Sequence, residues 1–267
     1  MFDRRTLSGE LATVRERHAP DCLVLDVDAD FETLPPATAE DLGLLVDALD
    51  PVAYPEEWVP ADAPAALRRY AGPDFTVGLP GDGTIAWTRQ TDPPTVLVKA
   101  RAATTPNAFR EFLLAEALVE VGLDAPESFL PFFGDRYPAL DDAVPLDPAD
   151  VYQIAAALYD GWLGRRTRPV FAGWDPDADG DSLPHLHAAW GDAGDRLVGR
   201  VSDLPGAVAR GETGFADATE LACAAVKHGL DLPAPFAALD TTAYVEYGAD
   251  YAVQWAEKTF AELDGSA

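Results

Sequence analysis

Apolar and polar residues alternate at strand spacing through one long stretch of the chain. It reads Pro73-Asp-Phe-Thr-Val-Gly-Leu79, a Pro80-Gly81-Asp82-Gly83 turn, Thr84-Ile-Ala-Trp-Thr-Arg-Gln90, a Thr91-Asp92-Pro93-Pro94 turn, then Thr95-Val-Leu-Val-Lys-Ala-Arg101. Period-2 patterning bounded by Gly, Pro and Asp predicts three strands in an antiparallel meander. Immediately afterwards Phe109, Phe112, Leu113, Leu114, Leu118 and Val121 recur at helical spacing, with Thr104 or Thr105 as cap, Pro106 near the first turn and Gly122 past the end. A meander carrying Phe75, Val77, Ile85, Trp87, Val96 and Val98 is too apolar to face water, so helices must cover it.

Elsewhere the period is mostly helical. Helices are predicted over Leu7 to His18, Thr38 to Leu49, Pro64 to Tyr70, Pro126 to Phe133, Asp147 to Gly164, Thr213 to His228 and Thr241 to Leu263. Cys22 to Asp26 reads equally as a buried strand or as extended chain. Gly134 to Pro145 reads as a loop, and Asp175 to Gly199 as an Asp- and Gly-rich segment with a helix around His185 to Trp190. The fold class is therefore α+β and mostly helical, with a small antiparallel three-strand meander packed against helices. One domain over residues 1–267 is expected, divisible into helices plus meander (1–122) and helices alone (123–267).

Composition changes the picture most through charge. Aspartate and glutamate number 46 against 19 lysines and arginines, a formal charge of -27, and Lys99, Lys227 and Lys258 are the only lysines. Such a surface repels phosphate backbones and anionic headgroups, which disfavours nucleic-acid and membrane-surface partners and leaves protein or small-molecule partners. Acid excess spread along the whole chain, with lysine scarce, fits a cytoplasm of high ionic strength, where screening removes the self-repulsion. With this composition the chain resembles, over its whole length, uncharacterised proteins of halophilic archaea. That resemblance implies no activity and carries no functional residue. No apolar run reaches membrane-spanning length, and Met-Phe-Asp-Arg-Arg-Thr is not a secretory leader, so a soluble, cytoplasmic protein is expected. Cys22 and Cys223 are too few and too distant for a metal framework, and whether they bond is open.

Several groupings carry candidate chemistry. Leu23-Val24-Leu25-Asp26-Val27-Asp28 resembles the first motif of haloacid dehalogenase-like hydrolases, which implies Asp26 as nucleophile, Asp28 as acid-base and Mg²⁺ on the phosphate. Asp30 stands where that family has Thr or Ser. Gly78, Gly81, Gly83, Lys99 and Glu116 resemble the small lobe of protein kinase-like enzymes, without their glycine order or their His-Arg-Asp and Asp-Phe-Gly motifs. Glu116 shares the apolar stripe of its helix and needs a partner there, so Lys99 and Glu116 are expected to form a structural ion pair.

Asp175, Asp177, Asp179 and Asp181, with Gly180, match the first half of a calcium loop, but Leu186 occupies the twelfth position, which implies weak Ca²⁺ binding. His185 and His187 flank Leu186 without a third metal ligand in sequence, and His228 ends a helix, where its charge would suit the dipole. Arg165, Arg166 and Arg168 form the densest positive patch, a candidate anion site. Tyr244, Tyr247, Tyr251 and Trp255 stripe the last helix as core packing or as an aromatic groove. Taken together the residues point to a non-enzymatic binding or interaction protein. The alternative is an Mg²⁺-dependent phosphate-hydrolysing or phosphoryl-transfer enzyme using Asp26 and Asp28.

Overall fold

Thr95–Val98 is the strand on which the sheet is built, but only one of its neighbours comes from the meander that the alternation predicts. A computed structural model describes residues 2–79, 83–177 and 182–265. Its strands are β1 (Phe2–Arg4), β2 (Leu23–Val27), β3 (Ala48–Leu49), β4 (Ile85–Thr88), β5 (Thr91–Asp92) and β6 (Thr95–Val98). The main sheet is mixed, in the order β1-β2-β6-β4, with β2 and β6 parallel and the outer pairs antiparallel, while β3 and β5 pair separately. The expected three-strand antiparallel meander is thereby corrected. Its first segment does not join: Gly78 takes a φ of 81°, which breaks an extended backbone, and Val77 keeps only a single bridge to Leu34. The vacated edge of β6 goes to Leu23–Val27, an apolar run suited to a strand covered on both faces.

The chain divides into two compact units. Unit 1 comprises Met1–Glu56, Ala65–Glu127 and Gly173–Ala189, and unit 2 comprises Glu57–Pro64, Ser128–Ala172 and Trp190–Ala267. In unit 1 the helices are α1 (Gly9–His18), α2 (Pro36–Gly43), α3 (Ala65–Ala71) and α4 (Asn107–Gly122). One face of the sheet, with Leu25, Val27 and Leu97, packs against Phe31, Leu34, Ala39, Leu42, Phe75 and Val77. The other face meets α4, since Trp87, paired with Val96, donates its indole N–H to Glu120 at 2.9 Å. Helix α4 forms where it is expected, but it includes Gly122 and has no threonine cap: Pro106 stands at the cap position, and Thr104 donates instead to the Arg101 carbonyl. Its far end is closed by Arg89, whose guanidinium donates to the carbonyls of Glu120, Val121, Leu123 and Ala125. These include carbonyls that the end of a helix leaves without intrahelical partners. The helix expected over Thr38 to Leu49 stops at Gly43, and Ala48–Leu49 pairs as a strand instead.

Unit 2 is helical: α5 (Phe129–Phe133), α6 (Tyr137–Ala143), α7 (Pro148–Ala172), the later part of α8 (Pro184–Val201), α9 (Leu204–Ala209), α10 (Phe215–Val226) and α11 (Thr242–Gly265). The loop expected over Gly134 to Pro145 is largely α6. Helix α7 runs through Gly164 rather than ending there, and the glycine answers instead to α10, which packs too close for a side chain. A Cβ at Gly161 would lie 3.0 Å from Cys223 Sγ, and one at Gly164 would lie 2.8 Å from Lys227 Cβ. Helix α11 is kinked at Gly248, with φ 48°. Among the described residues no helix is long and apolar enough to cross a membrane.

His228 closes the α10 end of this packing, its ring stacked on Trp190 at 5.8 Å between centroids. Burial, with Lys227 beside it, lowers its pKa from 6.5 to about 4, so the ring is neutral at pH 7 and brings no charge to the helix end. The unfolded chain takes up this proton at higher pH than the folded chain, so stability falls as pH drops through that interval. His228→Gln should therefore shrink the stability lost between pH 7 and pH 4.5, measured by urea unfolding, by about 1–2 kcal/mol. Superimposable pH profiles for the two proteins would contradict this.

Candidate functional site

The first residues of α1 and α4, two of the unit 1 helices that begin without a side-chain cap, open on one cleft. Ser8 precedes α1 and Pro106 precedes α4, and neither side chain accepts a bond from the first turn. Gly9 starts α1 with φ 59°, a conformation that glycine adopts without strain. The cleft has a volume of about 320 Å³ and is lined by Arg5, Ser8, Glu10, Asn107, Arg110 and His185, among others. The first turn of α8 also faces it but is already answered, since the Glu10 carboxylate accepts from the backbone N–H of His185 at 3.1 Å and of Leu186 at 2.9 Å.

The two arginines differ. Arg5 is held by Asp26 at 2.5 Å. Arg110 donates to Asn107 Oδ1 at 2.6 Å and, more weakly, to the Ala102 carbonyl at 3.5 Å, and among the described residues it forms no ion pair. Asn107 in turn donates to Glu111 at 2.8 Å, which fixes its amide oxygen towards Arg110. A half-buried guanidinium held by a neutral amide, beside two helix starts, can recognise a small anion by charge-assisted hydrogen bonds.

The groupings singled out in the sequence fall out differently. Asp26, on β2, alternates with Leu25 and Val27 and so points away from the core they join. Lys99, fully buried, places its ammonium 4.7 Å above the Phe31 ring on the Leu97 side. Asp28 is exposed beyond the end of β2. Asp26 and Lys99 thus take opposite faces of the sheet. Asp30 and Glu32, further along, are bound by Arg101 through its backbone N–H and guanidinium, each at 2.6 Å.

Glu116 is buried on α4. Arg89 sits at the C-terminal end of α4 and Trp87 beside Glu120. Glu116 lies one turn before Glu120 on the helix that covers the Trp87 and Val96 face of the sheet, and Val98, the residue before Lys99, alternates onto that same face.

Asp179, Asp181 and Gly180 of the acidic loop lie outside the described residues, while Asp175 accepts from the Asp177 N–H at 2.9 Å in a local turn. No group of three or more His, Cys, Asp or Glu side chains among the described residues is placed to hold a metal. Arg165 and Arg168 converge on Asp240: Arg168 donates to Oδ2 at 2.9 Å, and Arg165 Nε lies 3.0 Å from Oδ1 without hydrogen-bond alignment. Arg166 covers the Trp162 ring at 4.7 Å. The stripe on α11 divides. Tyr244 is core and donates to the Leu158 carbonyl, Tyr247 is exposed, and Tyr251 and Trp255 line a second cavity. Cys22 and Cys223 are both free and buried; burial raises the Cys22 thiol pKa to about 12 and pushes Cys223 up as well, so neither is a reactive thiolate.

The cleft residues Arg5, Ser8, Glu10, Asn107 and Arg110 drew no functional reading in the sequence. The signal available was local: Ser-Gly before an acidic first turn, and Pro-Asn at a helix start, both marks of a helix N-terminus. The model of a family of unknown function, DUF7089, matches residues 1–263 of the chain. No curated protein and no solved structure matches it.

Proposed function

The chain belongs to DUF7089, a family of unknown function, and we propose that it is a non-enzymatic binding protein of a high-salt cytoplasm whose unit 1 cleft takes a small anion. The observation that supports this is Arg110. In a chain with 46 acidic and 19 basic side chains, this guanidinium is held by an amide and a carbonyl rather than by a carboxylate, beside two helix starts without side-chain caps. The cleft's own acids have other work: Glu10 caps α8 and Glu111 accepts from Asn107.

Carboxylate and phosphate share the recognition chemistry, so calorimetric titration with succinate and with inorganic phosphate, at fixed KCl, separates them. One of the two should bind, and Arg110→Gln should weaken it about tenfold, the loss of one charge-assisted contact. If neither probe binds, or if Arg110→Gln binds as the parent does, the cleft is not an anion site.

A further inference from the structure

The second cavity belongs to unit 2 and stands apart from the anion cleft in both residues and chemistry. It measures about 300 Å³, and its walls include Pro235, Ala238, Tyr251 and Trp255, with Lys258 and Glu262 also lining it. The walls are fixed before any ligand arrives. Trp255 donates its indole N–H to the Pro235 carbonyl at 3.0 Å, and Tyr251 donates its hydroxyl to the Ala238 carbonyl at 2.9 Å. Each ring on α11 is therefore tied to the turn that forms the facing wall. Trp255 also packs on Phe215 and Phe236, with centroids 6.1 Å and 6.3 Å away, contacts that hold the indole in place. A cavity of this size, walled by rings and proline, matches one aromatic ring with a short substituent.

Charge at the mouth narrows the class. Lys258 is one of only three lysines in a chain of formal charge -27, it is exposed, and among the described residues it forms no ion pair. Glu262, one helical turn further along α11, disfavours a second negative charge at that end. We propose that this cavity binds a small aromatic monocarboxylate, its ring between Trp255, Tyr251 and Pro235 and its carboxylate towards Lys258.

Ligand-observed NMR titration of the full chain in high KCl tests this with three probes: 3-phenylpropionate, its neutral amide, and phenethylamine. The acid should bind more tightly than the amide, and the amine more weakly still. Lys258→Gln should remove the preference for acid over amide while leaving the amide's affinity unchanged. Ala238→Leu, which places a larger side chain in the cavity from a half-buried position, should weaken both at least about tenfold. A melting curve unchanged by either substitution confirms that folding is not the cause. Absence of binding by the acid, equal binding of acid and amide, or binding that survives Ala238→Leu would each overturn the proposal. None of these outcomes depends on Arg110 or the unit 1 cleft.

Discussion

Raising KCl from tens of millimolar to molar should raise the melting temperature of this chain by about 10 °C or more. The formal charge of -27 arises from acids spread over the whole sequence, 46 against 19 lysines and arginines, and ion pairs such as Arg136 with Asp250 and Arg196 with Asp192 stand at the surface. Such pairs are exposed, so each contributes little. Self-repulsion among the remaining carboxylates, by contrast, acts over the Debye length, about 10 Å at 0.1 M salt and about 3 Å at 1 M. Screening should therefore remove more destabilisation than it takes from the pairs. For a protein of this size each kcal/mol moves the melting point by about 2–4 °C, so a gain of several kcal/mol gives the expected rise. A melting temperature that stays flat or falls from 0.05 to 2 M KCl would defeat the proposal of a high-salt environment. A parallel series in an uncharged osmolyte would show whether any rise comes from screening rather than from exclusion at the surface.

The sequence made local elements legible and left nonlocal ones obscure. Helix α4 was readable because its signals sit on it: Pro106 before, Gly122 at its last position, and an apolar stripe between. The sheet was not, because the partner of β6 lies about seventy residues away in Leu23–Val27, a run whose own pattern fits strand or extended chain equally. Gly164 looked like a helix end because glycine there is a stop signal in isolation. Its actual reason, the closeness of Lys227, belongs to another helix. Gly78 inside a strand pattern was the one local warning that the first meander segment would break. The unit 1 cleft draws on residues 5–11, 107–114 and 185–186, three stretches that no spacing rule connects. The walls of the second cavity were half visible: Tyr251 and Trp255 stood out in the stripe on the last helix, but the turn facing them, Pro235 to Ala238, did not.

The remaining expectation with a large effect concerns Lys99 and Glu116, which we propose form a buried ion pair. Both side chains are buried, Lys99 with 1% and Glu116 with 9% of its surface exposed. Helix α4 covers the Val96 face while Lys99, the residue after β6, stands over Phe31 on the other, so the proposed pair would close past the end of the strand. The Phe31 ring offers the ammonium a cation–π contact, but that alone is small beside the cost of burying a charge. Removing one partner would leave the other charged and dry. Lys99→Met and Glu116→Leu should therefore each cost about 3–5 kcal/mol of stability, while the double variant, with two apolar side chains of similar size, should recover much of that loss. Urea unfolding of all four proteins in molar KCl gives the coupling directly. If the single losses simply add in the double variant, the two side chains do not share an interaction, and each must be neutralised by a different neighbour.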